Sequence, residues 1–118
     1  MIPGHLAIYF ATGPVDLRWS FDVLSGLVKE RIGQDPRAGA IFVFLNKRRT
    51  GLKALFYDRT GYAILYKRLD RGTFPMPVVI APGAGHVVVS ADELELILHG
   101  LDLPPSPRAR KKSSTQMH

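Results

Sequence analysis

Residues 41–72 read IFVFLNKRRTGLKALFYDRTGYAILYKRLDRG, and the predicted sheet is built on them. Apolar blocks of five to eight residues, rich in Phe, Tyr, Ile and Val, alternate in it with short turn blocks. That length and composition are typical of β-strands. Asp58 can begin a hairpin loop, and Gly61 can take the positive φ angle that closes it. We therefore predict a three-stranded antiparallel meander with turns at 46–51 and 58–61.

The same stretch carries most of the positive charge. It holds eight basic residues against two acids, so its net charge of +6 equals that of the whole chain. With a loop at 59–61, Lys53 would face Lys67 across two strands, and like charges so placed repel each other unless an anion lies over them. The concentration of positive charge in residues 41–72 favours a polyanionic partner. The alternative is that these side chains only solvate an exposed face and protect a strand edge.

Length and composition indicate one soluble domain. The chain has 118 residues, of which 46% are hydrophobic and 22% charged, as is ordinary for a globular protein with one core. No apolar run is long enough to span a membrane, and the N-terminus lacks the basic region and apolar core of a signal peptide. Because there is no cysteine, disulfides and thiol chemistry are excluded. We expect a cytoplasmic protein with no membrane partner.

The segment before the meander predicts a helix. Apolar side chains recur at helical spacing over about residues 17–32. Asp16 or Ser20 is the expected N-cap, and Gly33 is the expected end. Gly26 lies inside this helix and is expected to cost about 1 kcal/mol relative to alanine.

Further strands and a second helix complete the prediction. Apolar runs predict short strands at 6–11, 78–80 and 86–89. Ser90 begins a capping box that predicts a helix at about 91–99. The fold is therefore expected to be α+β, with a mostly antiparallel sheet built on the central meander and packed by two helices.

We expect the chain to consist of one domain and one tail. Residues 1–103 form the single α+β domain. Residues 104–118 are rich in Pro and Ser and carry four basic residues and no acid, which predicts a disordered basic tail.

The sequence gives little support for catalysis or for a metal site. There is no glycine-rich nucleotide-binding motif, and none of the four histidines has a partner at ligand spacing. A metal-dependent nuclease would need two or three clustered carboxylates, for which Asp16 and Asp22 are the candidates left open. We expect a protein that is not an enzyme and needs no cofactor and no metal.

Aromatic residues on the basic strands suggest a second kind of contact. Tyr57, Tyr62 and Tyr66 lie among lysines and arginines, as in proteins that stack single-stranded bases. The alternative is that they pack one sheet face and keep their hydroxyls at the rim. Both roles, base stacking and packing of the sheet, are open for Tyr66 and Trp19.

Several runs of the sequence resemble a known family. The runs are Ala11–Arg18, Ser20–Asp22, Asp35–Pro36, Ile41–Phe44, Asn46–Arg49, Leu52–Lys53, Tyr57–Asp58, Gly61 and Leu65–Phe74. Over roughly residues 6–103 the chain resembles the transposase accessory protein of insertion sequence 66 type elements, the second-frame or Orf2-like protein. The resemblance implies a bacterial mobile-element protein that assists transposition, while a separate and larger transposase cuts and joins the strands.

Charge and resemblance together predict a non-catalytic accessory factor in DNA transposition that binds DNA phosphates. The predicted contacts are Arg18, Lys47, Arg48, Arg49, Lys53, Lys67, Arg68 and Arg71. One alternative is an adaptor that uses the same basic face to grip an acidic patch on the transposase. The other is a metal-dependent nuclease that uses Asp16 and Asp22. The element's transposase and its other accessory protein are the possible protein partners, and the DNA site and oligomeric state are open.

Overall fold

The computed structural model describes residues 6–77 and 83–101. These residues form five strands, two α-helices and one π-helical turn. In chain order the elements are β1 (Ile8–Ala11), α1 (Phe21–Leu27), the π-helical turn (Val28–Ile32), β2 (Ile41–Leu45), β3 (Gly51–Tyr57), β4 (Tyr62–Arg68), β5 (His86–Val89) and α2 (Ala91–Leu98). The predicted strand at 78–80, the domain boundary at 103 and the tail at 104–118 lie outside the described residues.

The strands form one sheet in the order β4-β3-β2-β1-β5. β2, β3 and β4 pair antiparallel in sequence order, so the predicted meander is confirmed. β1 pairs antiparallel with β5 but parallel with β2, and α1 carries the chain between the two parallel strands. The sheet is therefore mixed but mostly antiparallel, and the α+β prediction is confirmed.

The β3–β4 hairpin differs by one position from the predicted register. Lys53 lies opposite Tyr66, and Lys67 lies opposite Leu52. The predicted pairing of Lys53 with Lys67 is therefore wrong, because the loop holds four residues, 58–61, instead of three. A shift of one position sends the two lysines to opposite faces of the sheet.

The loop of this hairpin is closed by an aspartate. Oδ1 of Asp58 accepts hydrogen bonds from the backbone N–H and the hydroxyl of Thr60, both at 3.2 Å. The residue with positive φ is Arg59, at 92°, and the prediction that Gly61 takes this conformation is wrong. The left-handed position therefore lies two residues nearer the N-terminus than predicted.

Side chains of the sheet alternate between two apolar cores. On one face α2 packs through Leu94 and Ile97, and on the other face α1 packs through Leu24 and Leu27. The first core also contains Ile8, Phe10, Val43, Leu45, Leu52, Ala54, Phe74, Val87 and Val89, and the second also contains Ala11, Val15, Val28, Ile32, Ala40, Phe42, Phe44 and Leu55. We call these the α2 face and the α1 face.

Helix α1 begins at Phe21, four residues after the predicted start. The residues before it fold over the end of the sheet, since the N–H of Val15 donates to the carbonyl of Leu45 at 2.9 Å. Ser20 is the N-cap but makes no side-chain hydrogen bond there. The helical segment ends as predicted at Gly33, whose φ of 73° lies in the left-handed region.

Helix α2 follows the prediction closely. The hydroxyl of Ser90 accepts from the N–H of Glu93 at 3.1 Å, and the Ser90 N–H donates to Oε1 of Glu93 at 2.9 Å. This reciprocal pair is a capping box, so two backbone N–H groups at the start of the helix have side-chain acceptors. The helix ends at Leu98, with His99 as its C-cap.

Candidate nucleic-acid interface

Strand directions bring several basic segments to one end of the sheet. β1, β2 and β4 end there, and β3 and β5 begin there. Backbone hydrogen bonds join the segments, because Leu69 N–H donates to the Thr50 carbonyl at 3.0 Å and Phe74 N–H donates to the Arg49 carbonyl at 2.7 Å. We call this region the basic end. Its exposed cations are Arg18, Lys47, Arg48, Arg49, Arg68 and Arg71.

The turn between β2 and β3 is built by Asn46. Its Oδ1 accepts from the N–H groups of Thr50 at 2.9 Å and Gly51 at 3.1 Å, and its Nδ2 donates to the Thr50 hydroxyl at 3.0 Å. These bonds satisfy the turn from inside, so residues 47–49 can point into solvent. Arg49 is left-handed, with φ of 57°, a conformation that costs a non-glycine residue about 1 kcal/mol.

Arg18 is paired with Asp16. Its Nη2 lies 2.6 Å from Oδ2, its Nε lies 3.1 Å from both carboxylate oxygens, and its backbone N–H donates to Oδ1 at 2.9 Å. These hydrogen bonds from Arg18 lower the pKa of Asp16 from 3.8 to about 2. The Arg18 side chain is nevertheless 90% exposed, so it can still meet a second anion.

Lys53 and Lys67 each donate a hydrogen bond to a backbone carbonyl of the fold. Lys53 is only 9% exposed, lies on the α1 face, and donates through Nζ to the carbonyl of Trp19 at 2.7 Å. Lys67 is half-buried on the α2 face and donates to the carbonyl of Leu98 at the C-terminus of α2, where a cation is favoured by the helix dipole. Of the eight predicted contacts, these two are not at the exposed basic end.

Arg31 is a further exposed cation that was not among the predicted contacts. It is exposed at the end of the π-helical turn, and its Nη1 donates to the carbonyl of Pro14 at 3.4 Å. This places it beside the loop that follows β1, near the basic end. Residues 1–40 carry equal numbers of acids and bases, so charge counting by segment hides it.

Two clefts open between the loop after β1 and the turn after β2. The larger has a volume of about 520 Å³, and the smaller about 210 Å³. Asp16, Lys47 and Arg48 line the larger cleft, and Lys47 and Arg49 line the smaller. Both clefts lie at the carboxyl ends of the parallel strands β1 and β2, where ligands of open sheets commonly bind. Each cleft has two cationic side chains in its lining, and the larger also has the carboxylate of Asp16.

The opposite end of the sheet holds a different cluster. Tyr57 and Tyr62 flank the β3–β4 loop with their ring centroids 5.2 Å apart in an edge-to-face arrangement. The guanidinium carbon of Arg37 lies 5.4 Å from the first ring and 5.8 Å from the second. Contact with Tyr62 and Tyr57 raises the pKa of Arg37 above its ordinary value. These two tyrosines are therefore engaged within the fold.

Within the described part of the chain, Asp16 and Asp22 belong to no cluster that could hold a metal ion. In residues 6–77 and 83–101, no group of three His, Asp or Glu side chains is placed to hold a metal ion. Asp16 is engaged by Arg18, and Asp22 lies exposed in the first turn of α1. The described helices are all too short or too polar to cross a bilayer.

Comparison with known proteins agrees with the resemblance read from the sequence. The family described as "IS66 Orf2 like protein" matches residues 6–108. The chain is 33% identical to the uncharacterized protein y4hO of Sinorhizobium fredii, over 86% of this chain and 88% of that protein. It is 37% identical to the uncharacterized protein y4jC of the same organism, over 95% of this chain and 93% of that one. No solved structure matches significantly. With the family match spanning the whole described fold, the chain belongs to the Orf2-like family of IS66-type insertion sequences.

Proposed function

We propose that this protein is a non-catalytic accessory factor in transposition of an insertion sequence, and that it binds DNA phosphates through the basic end. The family supports a role in transposition. The observation that carries the DNA proposal is the convergence of six exposed cations, from three separate segments, on one end of the sheet. Such a patch is the electrostatic footprint of a protein that binds a polyanion.

The turn at 47–49 is the centre of the proposed contact. Its three basic side chains project from a backbone that Asn46 fixes from inside, so the backbone needs little ordering when a phosphate binds. Arg68 and Arg71, from the segment after β4, and Arg18, from the loop after β1, lie at the same end of the sheet. Contacts of this kind position a protein on DNA without reading its sequence.

Salt dependence of DNA binding tests the proposal. Fluorescence anisotropy with a duplex from the element end, measured at several salt concentrations, should give a slope of about −0.9 for each phosphate contacted. Lys47→Met and Arg48→Met should each reduce the slope by about one unit. Lys67→Met is the matched control, because it removes the same charge from a half-buried lysine that bonds to the end of α2, and it should leave the slope unchanged. Absent binding, or binding that ignores salt, would contradict the proposal.

The cluster of Arg37, Tyr57 and Tyr62 favours a second candidate function, that of an adaptor for the transposase. Arginine and tyrosine are the residues enriched at the energetic centres of protein interfaces. The cluster lies at the end of the sheet opposite the basic end, so the protein can contact DNA and a protein partner together. Co-purification with the transposase after nuclease treatment would support the adaptor, and Arg37→Ala should weaken that capture without changing DNA affinity. Capture that disappears with nuclease would mean that DNA alone joins the two proteins.

A further inference from the structure

We propose that Tyr66 is a stacking platform for one unpaired nucleobase of the bound DNA. This inference rests on the proposed function, and it names the substrate class as DNA with a locally single-stranded segment. Tyr66 is 52% exposed and lies on β4, an edge strand of the sheet. The other tyrosines of the described chain are already engaged, since Tyr9 stacks on Phe42 with ring centroids 5.5 Å apart and the remaining two contact Arg37.

The ring of Tyr66 is held in place from beneath. Lys53 Nζ lies 5.3 Å from the ring centroid, and the same ammonium donates to the Trp19 carbonyl at 2.7 Å. A cation over the face of an aromatic ring attracts it. Gly51 lies alongside, where even a Cβ would come within 3.5 Å of Cε1 of Tyr66. The ring is therefore fixed on its protein side while more than half of the residue faces solvent.

A phosphate-binding side chain lies on the same face. Side chains alternate along a strand, so Tyr66 and Arg68 both face the α1 side, about 7 Å apart. Arg68 lies opposite Gly51 in the ladder, and Leu17 covers Gly51 so closely that a Cβ there would clash with it. Arg18, the next residue, thus flanks the same corner of the sheet.

The positive charge near Tyr66 indicates which kind of ligand would bind there. An apolar partner would gain from Tyr66 but not from Arg68 on the same face, or from Arg18, whose neighbour Leu17 covers Gly51. An unpaired nucleotide uses both, because its base offers a π-face to the ring and its phosphate offers an anion to the guanidinium groups. Aromatic rings interleaved with cations on a strand are the usual arrangement for binding single-stranded nucleic acid.

Two DNA probes separate this inference from the proposed function. The full chain is titrated with a 20-nucleotide oligothymidine and with a random 20-base-pair duplex at the same salt concentration, following fluorescence anisotropy. Tyr66→Leu keeps the apolar bulk but removes the π-face, and it should weaken oligothymidine binding about tenfold while leaving the duplex affinity unchanged. Tyr66→Phe keeps the ring and should bind as the parent does. Leu65→Ala is the matched control, since Leu65 is 48% exposed but faces the other side of the strand.

The outcomes are distinct. Should the parent bind both DNAs while Tyr66→Leu binds oligothymidine as tightly as the parent, or loses both DNAs equally, the stacking platform is overturned and the phosphate-binding proposal stands. Should the parent bind neither DNA, both proposals fall. Loss confined to oligothymidine, and restored by Tyr66→Phe, supports the platform.

Discussion

Arg18 and Asp16 are joined by three side-chain hydrogen bonds of 2.6–3.1 Å, so a cation of the basic end is held by its own near neighbour. We predict that Asp16→Asn strengthens duplex binding by about two- to fivefold, because it removes one negative charge from the basic end and weakens the hold on Arg18. Fluorescence anisotropy at low salt measures the change. A nuclease that used Asp16 would behave differently, since the same variant would abolish a Mg²⁺-dependent cleavage.

The same pair predicts a pH dependence. Because Arg18 lowers the pKa of Asp16 from 3.8 to about 2, the pair stabilises the folded state fully above about pH 4 and loses this contribution as the pH falls through 2. An NMR titration of the Asp16 carboxyl carbon should have its midpoint near 2, and in Arg18→Ala the midpoint should return toward 3.8. A midpoint that stays near 2 in the variant would show that the side chain of Arg18 is not the cause.

Local patterns predicted most of the elements. The meander, the capping box at Ser90 and the stop at Gly33 depend on residues close together in the chain, where strand, cap and turn chemistry act directly. The parallel pairing of β1 with β2 depends on residues about thirty positions apart, so no local pattern contains it. Helix α1 starts late because the loop at 15–19 bonds to the end of β2.

The candidate site was less predictable for a related reason. A one-residue change in the β3–β4 loop placed Lys53 and Lys67 on opposite faces of the sheet instead of on the same face. Once the register is set, Lys53 meets the Trp19 carbonyl and Lys67 meets the end of α2. Composition counts these two lysines with the exposed cations, although packing buries Lys53 and half-buries Lys67.

Asn46→Ala should loosen the basic turn. The change removes three hydrogen bonds to Thr50 and Gly51 and leaves two backbone N–H groups without their side-chain acceptor. We expect the free energy of unfolding to fall by about 1–3 kcal/mol, as measured by urea denaturation. Asn46→Asp is the control, because it keeps the acceptor oxygens and should lose less. Equal losses in the two variants would contradict a role for Oδ1.

Arg49→Gly should raise the stability of the fold while it removes a DNA contact. Glycine adopts the left-handed conformation of residue 49 without the steric cost that arginine bears, so the free energy of unfolding should rise by about 1 kcal/mol. Loss of the cation should reduce the salt slope of duplex binding by about one unit. Urea denaturation and anisotropy titration measure the two effects. A slope equal to the parent's would remove Arg49 from the interface.

Two glycines of the fold should respond in opposite directions to alanine. A Cβ at Gly85 would clash with the backbone carbonyl oxygen of Arg31, which the π-helical turn holds in place, so Gly85→Ala should lower the free energy of unfolding by about 1–3 kcal/mol. At Gly26 an added Cβ meets nothing within 4 Å, so Gly26→Ala in α1 should raise it by about 0.5–1 kcal/mol. Urea denaturation of the two variants beside the parent checks both signs. Destabilisation by Gly26→Ala would mean that α1 packs more closely on its surroundings than these contacts indicate.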